Sequence, residues 1–292
     1  MNHTLSRTLL YGGAAALLGT LGLFWKLGST DADVVTLLSS ADVQLRLAHG
    51  IPERDKQGAV LDSRERMITA AEQHLATAER LQPGMAVTAE FTGFAHMLRG
   101  RFEEAAACYE RAAACADCGA EQRDVLSFNQ ARMLAKAGRF EQALAVFGRH
   151  AAALDARYGH QRVIEEAAIL QQLGRAADAV QRVLPVLADA QADPMASVQA
   201  AVQCLESGRP DLAEPALERA AAQVPIADYH RARLKLSRGD VDTSLVLLER
   251  AAKAQPAEVR RQLDNDAGAW SAVATHARFR EITEPGMAAP AR

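Results

Sequence analysis

The sequence has few aromatic residues, only four cysteines and no excess of basic charge, and each shortage removes a class of function. Aromatics make up 5% of the 292 residues. Runs of β-branched residues are scarce as well, so no window has the composition of a sandwich or barrel. A formal net charge of -3 gives no attraction to a phosphate backbone, and no dense Lys/Arg stripe interleaved with aromatics offsets it. Nucleic acid is therefore not an expected partner. The chain also lacks G-x-S-x-G, a Walker loop, a Rossmann fingerprint and H-E-x-x-H, and its eight histidines show no carboxylate-flanked pair at ligand spacing. No catalytic residue, metal site or cofactor is expected, and the chain does not read as an enzyme.

What the sequence does have is helix-forming residues. Alanine, leucine, glutamate, glutamine and arginine dominate, which favours helix in almost every window. At 49% hydrophobic the chain can bury the core of one sizeable or two ordinary domains. The expectation is an all-α protein.

Its organisation follows from a phrase that recurs: LRGRFEEA from Leu98, KAGRFEQA from Lys136, QLGRAADA from Gln172, ESGRPDLA from Glu206 and SRGDVDTS from Ser237. The glycines Gly100, Gly138, Gly174, Gly208 and Gly239 lie 38, 36, 34 and 31 residues apart, a period that marks a solenoid. Each glycine follows one helical run and precedes another, the place for a left-handed C-cap that lets the partner helix fold back. Five residues on stands a small side chain, Ala105, Ala143, Ala179, Ala213 or Ser244, where two helices can cross closely. One turn later Tyr109, Phe147, Val183, Leu217 and Leu248 fill the space below. Ala112, Ala220 and Ala251 continue that face, and Pro225 and Pro256 end two of the second helices. His150 and Val186 stand where alanine is wanted, so those two hairpins must adjust.

This pattern resembles the tetratricopeptide repeat family, whose unit is a helix, a glycine turn and a second helix carrying small, bulky and small residues and then proline. The resemblance covers about residues 86–257. It implies a right-handed superhelical solenoid of about five to six hairpins whose first helices line a concave groove for a peptide or helix of a protein partner. Carried over position by position, partner-binding residues would be Phe94, Asn129, Arg132, Lys136, Gln171, Val202, Tyr229 and Arg233, with Phe91 and Phe128 equally suited to core or groove. The family's tryptophan is missing from every first helix, and only Gly93 matches the glycine of close approach. Glu90 and Phe94 stand where the family's carboxylate clamp has lysine and asparagine.

Upstream, Ala71, Leu75, Ala78 and Pro83 keep the second-helix spacing, with residues 33–50 as the first helix, so residues 31–85 form a degenerate unit with a polar insertion. Downstream, residues 258–284 are expected to cap the array, with a closing helix over residues 267–282 that places Trp270, Val273, Ala277 and Ile282 on the last hairpin. A tail follows at residues 285–292.

Residues 1–30 read differently. Leu9 to Trp25 holds no charged residue and spans roughly 25 Å as a helix, at the lower limit for a bilayer core. An uncleaved membrane anchor is expected in preference to a cleaved secretory signal, since no A-x-A precedes a cleavage point. Arg7 on one side and Lys26 on the other lean towards a cytoplasmic start and a periplasmic or other extracytoplasmic body. On this reading the protein is a membrane-anchored scaffold or a permanent subunit of a membrane protein complex.

Chemistry of another class rests on Cys115 and Cys118, spaced C-A-D-C at a helix end. Such a pair can be a disulfide, half of a zinc site, a redox pair or plain packing. No second CxxC and no βαβ surround accompany it.

Overall fold

The computed structural model describes residues 31–51 and 62–283, and every described element is helical. The anchor reading of residues 9–25 and the tail at residues 285–292 lie outside the described residues. Among the described residues no helix is long and apolar enough to cross a membrane. The chain divides into two compact units, one ending at Arg162 and one starting at Val163.

The N-terminal unit holds α1 (Ala32–Gly50), α2 (Asp62–Leu81), α3 (Ala86–Leu98), α4 (Phe102–Ala114), α5 (Ala120–Lys136), α6 (Phe140–Arg149) and α7 (Ala151–Tyr158). Helix α8 (His160–Gln172) starts there and runs into the C-terminal unit, which continues with α9 (Ala176–Ala188), α10 (Pro194–Glu206), α11 (Pro210–Ala220), α12 (Ile226–Ser237), α13 (Val241–Ala254) and α14 (Pro256–Asn265). A 3₁₀ segment (Ala267–Val273) and α15 (Ala277–Thr283) close it. Most consecutive helices pack against each other within their unit, α1 with α2, α3 with α4, α5 with α6, α10 with α11 and α12 with α13 among them.

The glycine turns are as the spacing requires. Gly100, Gly138, Gly174, Gly208 and Gly239 have φ of 72°, 77°, 73°, 72° and 82°, a region that other residues enter only at a cost. Each turn closes with the same pair of bonds. At the first, the Arg101 amide donates to the His96 carbonyl at 2.9 Å and the Gly100 amide to Met97 at 3.0 Å. The amides of Arg139, Arg175, Arg209 and Asp240 repeat the longer bond to Leu134, Leu170, Cys204 and Lys235. This is the Schellman geometry, which satisfies carbonyls the helix end leaves open.

Beyond each turn the crossing residues Ala105, Ala143, Ala179, Ala213 and Ser244 are all 0% exposed. Ser244 is tolerated because its hydroxyl donates to the Ala232 carbonyl at 2.8 Å across the hairpin. Gly93 has the close approach expected of it. A β-carbon there would stand 3.2 Å from the Ala105 carbonyl oxygen and 3.0 Å from Tyr109, so α3 and α4 touch backbone to backbone. Helices α1 and α2 form the degenerate first hairpin, with Ala71, Leu75 and Ala78 buried against Val34, Leu38, Ala41 and Leu45.

Three expectations need correction. Pro225 does not end α11, which stops at Ala220, and stands instead at the N-cap of α12, whereas Pro256 follows the C-cap of α13 and is also the first residue of α14. His150 does not enter a crossing: α6 ends at it, and the extra residues of that repeat form α7, with Leu154 fully buried. Val186, in contrast, is accommodated in the core at 0% exposed. The closing helix over residues 267–282 is broken in two. Its first half is a 3₁₀ turn because residues three apart then share a face, which puts both Trp270 and Val273 in the core, while Ala277 stays exposed.

Candidate functional site

In the N-terminal unit two first helices, α3 and α5, carry the residues picked out for partner binding, and α1 packs beside α3. Phe94 on α3 is half-buried, resting on the core between α1 and α3, and its ring centre lies 5.7 Å from that of His49 at the end of α1. Burial lowers the His49 pKa, helped by the charges of Arg64 and Lys136. Lys136 Nζ lies 5.0 Å from the centre of the Phe102 ring. The Arg132 guanidinium sits 5.7 Å from the Phe128 ring centre. Asn129, Arg132 and Lys136 are all half-buried and recur at helical spacing, so they share a face. Glu90 accepts from Gln122 Nε2 at 2.9 Å, and burial raises its pKa.

The two phenylalanines left open between core and groove are core: Phe91 is 3% and Phe128 2% exposed. Phe128 is stacked on Tyr158 of α7, with ring centres 4.1 Å apart and 13° between planes. Nothing in the sequence pattern announces that contact, because α7 has no counterpart in the other repeats.

In the C-terminal unit Val202 is half-buried on α10, but the other expected partner residues hold the fold together. Gln171 donates to the Gln203 carbonyl at 2.7 Å and to Ser207 Oγ at 2.9 Å, tying α8 to α10. Tyr229 is 0% exposed, so its assignment to a binding surface is corrected. Its hydroxyl donates to Asp266 at 3.0 Å and accepts from Trp270 Nε1 at 3.1 Å, which docks the closing segment. Arg233 pairs with the same Asp266 at 3.1 Å. Next to them His230, with its pKa pressed down to about 3 by burial, is a neutral core residue.

The C-A-D-C turn is also built into the packing. Cys115 and Cys118 are free thiols in this structure. Cys118 is 5% exposed, in the cluster with Tyr109 and Leu126. The aspartate between them, Asp117, accepts from the Ala86 amide at 3.1 and 3.2 Å, capping α3, whose own N-cap residue Met85 offers no oxygen. Burial raises the pKa of both thiols, with Asp117 and Glu79 adding to it at Cys115. A reactive cysteine needs the opposite shift. Among the described residues no group of three or more His, Cys, Asp or Glu side chains could hold a metal ion.

No curated protein matches the chain. A tetratricopeptide repeat family model matches residues 86–111 and 125–149, the two hairpins α3–α4 and α5–α6. A solved structure from Pseudomonas aeruginosa, described as "Functional Characterization of Pseudomonas Aeruginosa pilF", superposes with a TM-score of 0.50 at 14% identity, covering 78% of this chain and 98% of that one. At that identity the likeness speaks for fold. With the five Schellman turns and the buried small residues at each crossing, the conclusion is that this chain carries tetratricopeptide repeats.

Proposed function

We propose that the protein is a non-enzymatic scaffold that holds a protein partner against the α1–α3–α5 face of its N-terminal unit, while residues 9–25 tether it to a membrane with the body on the extracytoplasmic side. Repeats of this kind suggest protein interaction. The observation that carries the choice of face is the ring pair of His49 on α1 and Phe94 on α3, with Asn129, Arg132 and Lys136 on one face of the following first helix, α5. A half-buried aromatic ring and an arginine are residue types found at binding hot spots. Arg132 and Asn129 extend the same surface by one and two turns of α5 from Lys136.

Phe94→Ala and Arg132→Glu are each expected to weaken the complex with the natural partner at least tenfold, about 1.4 kcal/mol, with little change in helicity. The partner would first be recovered by pulldown of the solubilised full-length protein, and the variants then compared by biolayer interferometry at physiological salt. Equal binding by wild type and Arg132→Glu would remove this face as the binding site.

The tether has its own test. Full-length protein is expected to stay with the membrane through an alkaline carbonate wash, and protein lacking residues 1–30 to be released. A mature chain beginning near Asp31 would establish a cleaved signal in place of an anchor.

A further inference from the structure

Helix α3 presents a second surface on its other side. Thr88, Thr92 and His96 project roughly opposite to Glu90, Phe94 and Met97, given 3.6 residues per turn. There α2, α3 and α4 enclose a cleft of about 570 Å³, within the range of small-molecule sites, about 300 to 1,000 Å³. Its floor is apolar and almost dry: Leu75, Met85 and Ala95 are 3%, 4% and 1% exposed.

Two polar groups lining this cleft have no hydrogen-bond partner among the described residues, Thr88 Oγ1 and His96 Nδ1. Thr88 is 2% exposed, and a buried hydroxyl left unmet is costly. Burial, followed by the charge of Arg101, lowers the His96 pKa, so the ring is neutral and can offer a nitrogen lone pair or an N–H. The rim adds one charge of each sign. Glu79 on α2 accepts only from the Gly84 amide, at 3.1 Å. Arg111 on α4 donates to the Cys108 thiol at 3.1 Å, a weak acceptor. Among the described residues neither is in an ion pair, although both lie close enough to Cys115 to act on its thiol. Glu72, the other carboxylate of the rim, is already held by Arg99 and Arg101.

We propose that this cleft binds a small zwitterion with an apolar side chain, either a free α-amino acid or a short peptide with free ends. Its carboxylate pairs with Arg111, its ammonium with Glu79, its side chain covers the accessible Ala76 and Ala89 above the buried floor, and a polar backbone atom is directed at Thr88 Oγ1. A simple anion would leave Glu79 opposed to it, and a simple cation would oppose Arg111. The proposal is independent of the partner face, with which the cleft shares a helix but none of the residues named.

Calorimetric titration of the full-length protein in detergent tests it, with L-leucine, the tripeptide Ala-Leu-Ala, and that tripeptide acetylated and amidated as probes. Saturable binding of at least one free-ended probe is expected with Kd below about 1 mM. Whichever of leucine or tripeptide binds more tightly identifies the source. The blocked tripeptide, Arg111→Ala and Glu79→Gln should each weaken binding at least tenfold. Thr88→Val, which keeps the shape, should weaken it severalfold, and Arg132→Glu should leave it unchanged. No saturable heat from either free-ended probe at about 10 mM would overturn the proposal. So would blocked and free tripeptides binding alike, or binding indifferent to Arg111 and Glu79.

Discussion

Replacing Arg250 with methionine is expected to destabilise the C-terminal unit by about 3 kcal/mol, several times the cost of replacing its buried partner Asp228 with asparagine. The asymmetry comes from what each change leaves behind. Asp228 on α12 is 3% exposed. It accepts from Arg231 Nη1 at 3.0 Å and Arg250 Nη2 at 2.6 Å, and Arg250 Nε closes on its second oxygen. Arg250 itself is 59% exposed at the side chain. Without Arg250, a carboxylate sealed between α12 and α13 keeps one cation where it had two, and breaking a buried pair from that side costs about 3 to 5 kcal/mol. The retained Arg231 holds the figure at the lower end. Without the carboxylate, Arg250 turns to water, Arg231 keeps Glu218 at 3.6 Å, and the asparagine carbonyl still accepts, so about 1 kcal/mol is lost. In a Trp25→Phe background the buried Trp270 is the single indole, and its fluorescence reports urea unfolding of this unit. Equal losses from the two changes would show that the carboxylate does not depend on Arg250. Exposed pairs such as Arg209–Asp211, at 2.7 Å, should contribute almost nothing by the same assay.

The repeat was readable from the sequence because its determinants are local. A left-handed glycine and a small residue five positions later, alanine in four repeats and Ser244 in the fifth, specify a hairpin without knowledge of the rest of the chain, and all five such pairs are realised in the turns and crossings. The candidate site was readable only in part. Asn129, Arg132 and Lys136 share a helix face, and spacing alone groups them. Whether such a face meets solvent or another element depends on residues far along the chain. Tyr229 has the position of a groove residue, yet Asp266 and Trp270, 37 and 41 residues later, close over it. Gln171 has a groove position too, but it bridges to the next hairpin. Phe128 became core when α7 brought Tyr158 onto it. The C-A-D-C spacing suggested chemistry because it shows two thiols, whereas the residue that matters to the fold is the aspartate between them, whose target amide lies 31 residues upstream.

Phe147 is where the N-terminal unit is expected to be most sensitive to truncation. It stands one turn after the crossing residue Ala143, the place taken by Tyr109, Val183, Leu217 and Leu248 in the other repeats, and all five are buried. Its ring is 0% exposed and lies 5.6 Å from that of Phe128 at 56°, and Phe128 continues the stack to Tyr158. A full aromatic side chain therefore fills the space between α5 and α6, and the crossing residue Ala143 one turn before it is itself fully buried. The helices cannot collapse into the space that alanine would leave. Phe147→Ala should cost about 3 to 5 kcal/mol, which includes a ring–ring contribution of about 0.5 to 1.5 kcal/mol. Against the roughly 5 to 15 kcal/mol that holds an ordinary domain together, that leaves the unit marginal. Val183→Ala, the same position in the C-terminal unit, removes two methyl groups and should cost about half as much. The distinguishing measurement combines far-UV circular dichroism, which follows all helices, with Trp270 fluorescence, which follows only the C-terminal unit. Phe147→Ala should shift the helical transition at a urea concentration where Trp270 is still buried, and a loss under about 1 kcal/mol would mean that α5 and α6 repack freely around the missing ring.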